Sequence, residues 1–329
     1  MDIGKRFESL LKQVEQDDRG KEDKIMPFGS LRMNVYGLIE TKGRNPLQLT
    51  DHATTQVLSK LGIPVRYAKR VLEERPDLVA DHFNHWAKKE DGDVLLRMKK
   101  AGGHGVIRAV LSDRYSILDN KDVMVALHEV IKELPDAELL QSNLNDRITN
   151  IRIAFPELTA EFGKTVTGEK DLIKVGVDID NSEVGVSSLR VIPVTYRLVC
   201  TNGMRAWVKD GDLFEQRHIH LTSDELYMRM SGAIVNAIKA GDGLVKTMRQ
   251  AKGIKVASPL DIIKEIAQKE EYSKKLTDIL INNFMVEPDN TLYGVTNAFT
   301  RTARDIENTE RRLNLEEYAG NMLMNMVAA

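Results

Sequence analysis

The residues best suited to chemistry here are cations without nearby acids. The chain carries 47 Lys and Arg against 49 Asp and Glu over 329 residues, a net charge of −2. Yet no carboxylate occurs from Val184 to Lys209, a window that holds Arg190, Arg197, Arg205 and Lys209. None occurs from Val94 to Ser112 either, where Arg97, Lys99, Lys100 and Arg108 lie. Guanidinium and ammonium groups spared of acidic neighbours suit charge-assisted hydrogen bonding to phosphate. Tyr115, beside Arg114, and Tyr196, beside Arg197, add rings on which a base could stack. Lys99, Lys100, Arg108, Arg114, Tyr115, Arg152, Arg190, Tyr196, Arg197 and Arg205 are therefore the candidate nucleic-acid-binding residues. The competing reading gives each cation an acidic partner from a distant helix and leaves it a structural or surface role.

Other reactive types are weaker candidates. Cys200 ends an apolar strand phase with no histidine near it in sequence, and a lone cysteine in that setting reads as core. His218 and His220 share a strand face near Glu215, but a metal site needs a third ligand at motif spacing. His82 and His85 lie about one helical turn apart beside Trp86 and meet the same objection. Gly102-Gly-His-Gly105 sits in a hairpin context, and no Gly-Lys-Ser/Thr follows it, so it is not a phosphate loop. No paired-carboxylate motif of recognised spacing stands out. We expect no catalytic residue, metal or cofactor, and a protein that is not an enzyme.

The elements that must position these residues follow from periodicity. Residues 1–18 read as an amphipathic helix and Asp17 to Lys24 as a linker. Leu31, Met33 and Val35 alternate as a strand does. Three helices fit between Asp51 and Lys89, separated by Gly62-Ile-Pro64 and opened again by Pro76. Strands are expected at Val94–Met98, Val106–Leu111, Arg147–Phe155, Leu172–Ile179, Val186–Cys200 and Leu213–Leu221, with a helix from Asp119 or Asn120 to Leu134. Asn202-Gly203 reads as a turn. From Ser223 the chain is helical. The basic series Arg229, Lys239, Lys246, Arg249, Lys252 and Lys255 reads there as a solvated helix face. The organisation is an N-terminal helix and linker (1–25), an α+β core (26–222) and a helical C-terminal region (223–329). The fold class is α+β: a largely antiparallel twisted sheet with helices on one face, followed by a helical part.

Alternation sorts the strand side chains. Ile151, Ile153 and Phe155 oppose Asn150 and Arg152; Ile173, Val175, Val177 and Ile179 oppose Lys174, Gly176 and Asp178. Pro193 cannot donate to a ladder, so a bulge is expected there, bringing Arg190 onto one face with Thr195 and Arg197. Strands sharing one sheet would present Arg97, Lys99, Arg108, Arg152, Lys174, Arg190 and Arg197 on an open side. At 42% apolar and 29% charged the chain can bury a core and stay soluble. No apolar run spans a membrane, the N-terminus lacks a signal-peptide pattern, and one cysteine fits a reducing cytoplasm.

Ser112-Asp-Arg-Tyr-Ser-Ile-Leu-Asp-Asn120, the stretch from Asn181-Ser-Glu-Val-Gly to Tyr196-Arg-Leu-Val-Cys-Thr-Asn-Gly-Met204, and Thr291–Thr300 resemble the phage/plasmid-like proteins grouped as domain of unknown function 932. The likeness runs from about Leu31 to Arg304. It implies a mobile-element protein in a bacterial host cytoplasm and carries no assigned activity. Single-strand annealing recombinases of such elements are similar in outline, with a basic sheet-side groove, a helical C-terminal part and assembly into oligomers. The expected function is single-stranded DNA binding or annealing in recombination or replication, by a homo-oligomer that does not engage membranes. The alternative is a virion-associated or host-interaction assembly protein.

Overall fold

The computed structural model describes residues 3–41, 45–101, 104–134, 136–165, 168–199, 201–206, 214–216 and 222–328. In chain order the elements are α1 (Ile3–Asp18), β1 (Lys21–Pro27), β2 (Arg32–Met33), β3 (Ile39–Glu40), β4 (Gln48–Leu49), α2 (Asp51–Lys60), α3 (Val65–Glu74) and α4 (Pro76–Ala87). Next come β5 (Asp93–Ala101), β6 (His104–Ser112), α5 (Asn120–Lys132), β7 (Glu138–Leu144), β8 (Thr149–Lys164), β9 (Lys170–Asn181), β10 (Leu189–Arg197), β11 (Asn202–Arg205) and β12 (Phe214–Gln216). The helices α6 (Ser223–Gly253), α7 (Pro259–Lys269), α8 (Lys274–Val286), α9 (Leu292–Arg304) and α10 (Thr309–Ala328) complete an α+β fold.

Local chemistry sets the boundaries. Thr50 caps α2 by accepting from the Ala53 amide, Pro64 precedes α3, and Pro76 opens α4, where its missing donor costs nothing. Thr222 and Glu225 form a reciprocal capping box at the start of α6. The charged stretch read as a linker instead ends α1 and, from Lys21, begins β1, which pairs antiparallel with β5. The Leu31–Val35 strand shortens to β2, because Asn34 Oδ1 accepts from the Tyr36 and Leu38 amides and turns the chain. Asn202 and Gly203 lie in β11 rather than in a turn.

The strands form two main sheets, not one. A four-stranded sheet runs β1-β5-β6-β4, and a six-stranded one runs β11-β10-β9-β8-β7 with β12 also paired to β10. The first packs its apolar side with α2–α4 around Phe28, Phe83, Leu96 and Ile107. The second buries Ile151, Ile153, Val177, Ile179, Leu189 and Val191 against α1, α5 and α6. This is the apolar face that alternation assigns to β8 and β9.

No bulge interrupts β10. Its register with β9 is continuous from Arg190↔Asp180 to Arg197↔Ile173. Pro193 is tolerated because its carbonyl accepts from the Ala206 amide, so its missing N–H points toward the seam between β11 and β12. Arg190 therefore shares a face with Ile192, Val194 and Tyr196, and Arg197 lies on the opposite one with Thr195.

The C-terminal helices close the second sheet. α10 lies along β11 so tightly that a Cβ on Gly320 would sit 2.0 Å from the Arg205 carbonyl oxygen. Gly320→Ala should destabilise the protein by about 1–3 kcal/mol through overpacking, read as a lower denaturant midpoint. An unchanged midpoint would mean that α10 is not seated on β11.

Candidate nucleic-acid interface

The polar face of the six-stranded sheet is a closed ionic layer. Arg152, fully buried on β8, forms paired hydrogen bonds to Asp178 at 2.7 and 2.7 Å and reaches Glu316 of α10 at 2.5 Å. Arg205 of β11 is fully buried too and binds Asp180, with Asp178 at 3.3 Å. Arg190 bonds Asp180 at 3.0 Å and Glu317 at 3.4 Å. On the other face, Arg197 makes two bonds each to Asp171 (2.6 and 3.0 Å) and Glu287 (2.7 and 2.6 Å). Even half-buried Lys174 meets the Glu138 carboxylate. Burial works to raise the Asp178 carboxyl, but Arg152 and Arg205 outweigh it and hold Asp178 below the usual carboxylate range.

The first sheet's arginines converge on the junction between the sheets. Glu183 accepts from Lys21 Nζ of β1 at 2.8 Å, Arg108 Nη1 of β6 at 2.6 Å and the Asn120 amide of α5 at 2.9 Å. Its backbone carbonyl accepts from fully buried Arg97 at 2.9 Å, and Arg97 also binds Asp23 and Asp119. The Val184 carbonyl takes Gln56 Nε2 at 3.0 Å, and Asn181 Nδ2 donates to Asn120 Oδ1 at 2.9 Å. Gly185 holds φ +81°, and a Cβ there would come within 2.7 Å of Leu111, so this turn needs glycine twice over. Burial works to raise the Glu183 carboxyl, but Lys21 and Arg108 bring it below its ordinary value.

The expected open basic surface is thus corrected on two counts. Its cations divide between two sheets, and Arg97, Arg108, Arg152, Arg190, Arg197 and Arg205 are all matched to carboxylates. Lys99 pairs with Asp17 of α1. Tyr115 donates to the Ser182 carbonyl at 3.0 Å with its ring half-buried, and burial raises its hydroxyl pKa. Tyr196 is half-buried, with the Arg152 guanidinium 6.0 Å from its ring centre. Lys100 and Arg114 remain exposed. Cys200, Trp207, Lys209, His218 and His220 lie outside the described residues, as does the side chain of Glu215. Among the described residues, no group of three or more His, Cys, Asp or Glu is arranged to hold a metal.

The basic series that the sequence assigns to a solvated helix face lies on and just after α6. Lys239, Lys246 and Arg249 stand exposed on its outer side, and Lys255 is exposed just beyond its end. Among the described residues no carboxylate lies within salt-bridge distance of these four. Lys252 is bound to the Phe162 carbonyl, and the Arg249 guanidinium lies 5.7 Å from the Phe162 ring centre, so the end of β8 braces this basic stretch. The inner side of α6 is buried through Leu244, Val245 and Met248. The signal was present as a third acid-free window, Gly243 to Leu260, with cations at every third residue from Lys246 to Lys255.

Residues 108–312, well over half the chain, match the model of the family described as Domain of unknown function (DUF932). No curated protein and no solved structure matches the chain. The matched span begins at Arg108 and includes Asn120 and Glu183, so three of the junction's groups fall within it.

Glu183→Gln would leave Arg108 buried without a counter-charge and Lys21 with only Asp17 and Asp18. It should cost about 3–5 kcal/mol at neutral pH. Because the folded carboxyl lies below its ordinary value of 4.5, its contribution is complete above that pH and fades on acidification through the folded value. Urea titrations of both proteins across pH 3 to 7 should therefore converge at the acid end (about the carboxylate range). A gap that stays constant with pH would contradict the assignment.

Proposed function

The chain belongs to the DUF932 family, whose description assigns no activity, and we propose from its own geometry that it is a non-enzymatic binder of single-stranded nucleic acid. The single observation that carries the reading is the set of unpaired cations on and after α6, Lys239, Lys246, Arg249 and Lys255, in a chain whose sheet arginines are neutralised internally. A row of exposed cations on one rigid helix can follow a phosphate backbone, with affinity drawn from counterion release. The apolar side of the same helix is packed in the core, so the row offers charge without a hydrophobic face to insert into lipid. Among the described residues no helix is long and apolar enough to cross a membrane. Strands exposed in recombination or replication, in a mobile-element setting, are the ligands we propose. The sheet cations proposed from sequence alone would then support the fold, with Lys100 and Arg114 as outlying contacts.

A second reading, an assembly or host-interaction protein, is favoured by one feature. A groove of about 600 Å³ between α5 and α6 exposes Ile117 and Val125. Under it, nucleic-acid binding would be absent.

Anisotropy with a labelled oligothymidylate should show affinity falling steeply with salt. Lys246→Glu, Arg249→Glu and Lys255→Glu together should lower the slope of log affinity against log salt by about 2, near 0.7 for each single-strand phosphate lost. The stability of that variant should be nearly unchanged. No binding by the wild-type protein at low salt would reject the reading and leave the groove-based one.

A further inference from the structure

The groove between α5 and α6 has an apolar floor and an acidic rim. Leu118, Ala126 and Leu226 form its buried base, and Ile117 and Val125 line it while 36% and 42% exposed. On the rim, Glu129 pairs with Lys132 at 2.7 Å, and Glu133 accepts from the Tyr227 hydroxyl at 2.6 Å. Lys121 turns away to Asp18 at 4.0 Å. Asp122 and Asp224 also line the groove and are exposed, and among the described residues neither has a cation within salt-bridge distance. Both lie in the first turns of their helices, where the helix dipole favours a carboxylate. That accounts for their positions and leaves both open to an incoming cation.

The complementary set stands on α3. Arg66, Tyr67 and Arg70 share its outer side, within an arc of about 100°. Ala68 and Leu72, on the other side, pack into the core of the first sheet. Tyr67 is 68% exposed, and among the described residues neither arginine has a carboxylate within salt-bridge distance. Like charges one turn apart repel, and carboxylates brought up to them relieve this. Tyr and Arg are also the side chains that most often anchor protein interfaces from well-packed pockets. A ring beside two unmatched guanidiniums thus answers an apolar groove edged by two unmatched carboxylates. α3 packs on α2 and α4, whereas the groove belongs to helices of the second sheet, so the two are different surfaces of one chain.

We propose that the groove receives α3 from a second copy of this chain, with Tyr67 seated among Ile117, Val125 and Leu226, and Arg66 and Arg70 meeting Asp122 and Asp224. Charge complementarity selects this occupant: each copy supplies both unmatched sets, two cations and two acids. A pair joined by one such contact keeps a free groove and a free α3, so copies add on until a ring closes. The cations proposed for strand binding, Lys239, Lys246, Arg249 and Lys255, belong to neither surface, so the inference stands apart from the single-strand reading.

Sedimentation of the full chain without nucleic acid reads the contact. The wild-type mass should rise with protein concentration. Tyr67→Ala should weaken association about 30-fold or more, as loss of an interface anchor does. Tyr67→Glu and Val125→Glu should each hold the chain at one copy. An equimolar mixture of those two should form a dimer that grows no further, since one intact groove and one intact α3 remain between them. That rescue also shows that both variants are folded. A wild-type chain that stays single at every concentration overturns the inference and leaves the groove to a different protein. Assembly of either glutamate variant at wild-type strength, or a mixture that yields no dimer, overturns it as well.

Discussion

A guanidinium taken out of water must be met by carboxylates, and this constraint organises the molecule. Arg97, Arg152 and Arg205 are fully buried. Desolvating an ion costs several kcal/mol unless close, well-oriented partners restore it. Here the partners come from distant parts of the chain. Arg97 draws on Asp23 and Asp119, Arg152 on Asp178 and Glu316, and Arg197 on Asp171 and Glu287. Each pairing ties a strand to a different element, so the ionic layer dictates where α10 and the end of α8 lie. Such layers add less net stability than an apolar core of equal volume. Their consequence here is register and placement, since a shifted α10 would remove Glu316 from a buried cation.

The same constraint bears on function. Cations consumed by internal acids cannot serve phosphates, so the acid-free windows around Arg108 and Arg197 are poor guides to a binding surface. The acid-free window that ends α6 differs because its helix turns its apolar side inward and its cations outward. The junction around Glu183 gives the segment Asn181-Ser-Glu-Val-Gly a mechanical meaning: a buried carboxylate, a carbonyl shared by Gln56 and His52, and a glycine with positive φ bind two sheets together.

Much of the architecture was legible because period and face are local properties. Alternation sorted β8 and β9 correctly, and proline and glycine marked the three helices before β5. The partition into two sheets was not legible, since strand order depends on pairings far apart in sequence. Pro193 misled for a specific reason: a missing donor signals an edge, and here the edge is a seam between two short strands, which needs no bulge. The site failed to emerge from charge spacing because an acid-free window excludes only local partners. Glu316 lies 164 residues from Arg152, and Glu287 lies 90 from Arg197. The basic end of α6 was visible in the sequence, but helix charges are ordinarily solvated, and only the pairing of the sheet arginines makes it stand out.

The division between committed and available cations can be read directly by residue-resolved chemical modification. Arginine and lysine reagents would be applied to the native protein with and without a single-stranded oligonucleotide, and adducts located by mass spectrometry. Arg152, Arg197 and Arg205 should stay unmodified in both conditions. Lys246, Arg249 and Lys255 should react in the free protein and be protected by the strand. Ready modification of Arg152 and Arg197 that the oligonucleotide suppresses would contradict this division and return the binding surface to the sheet.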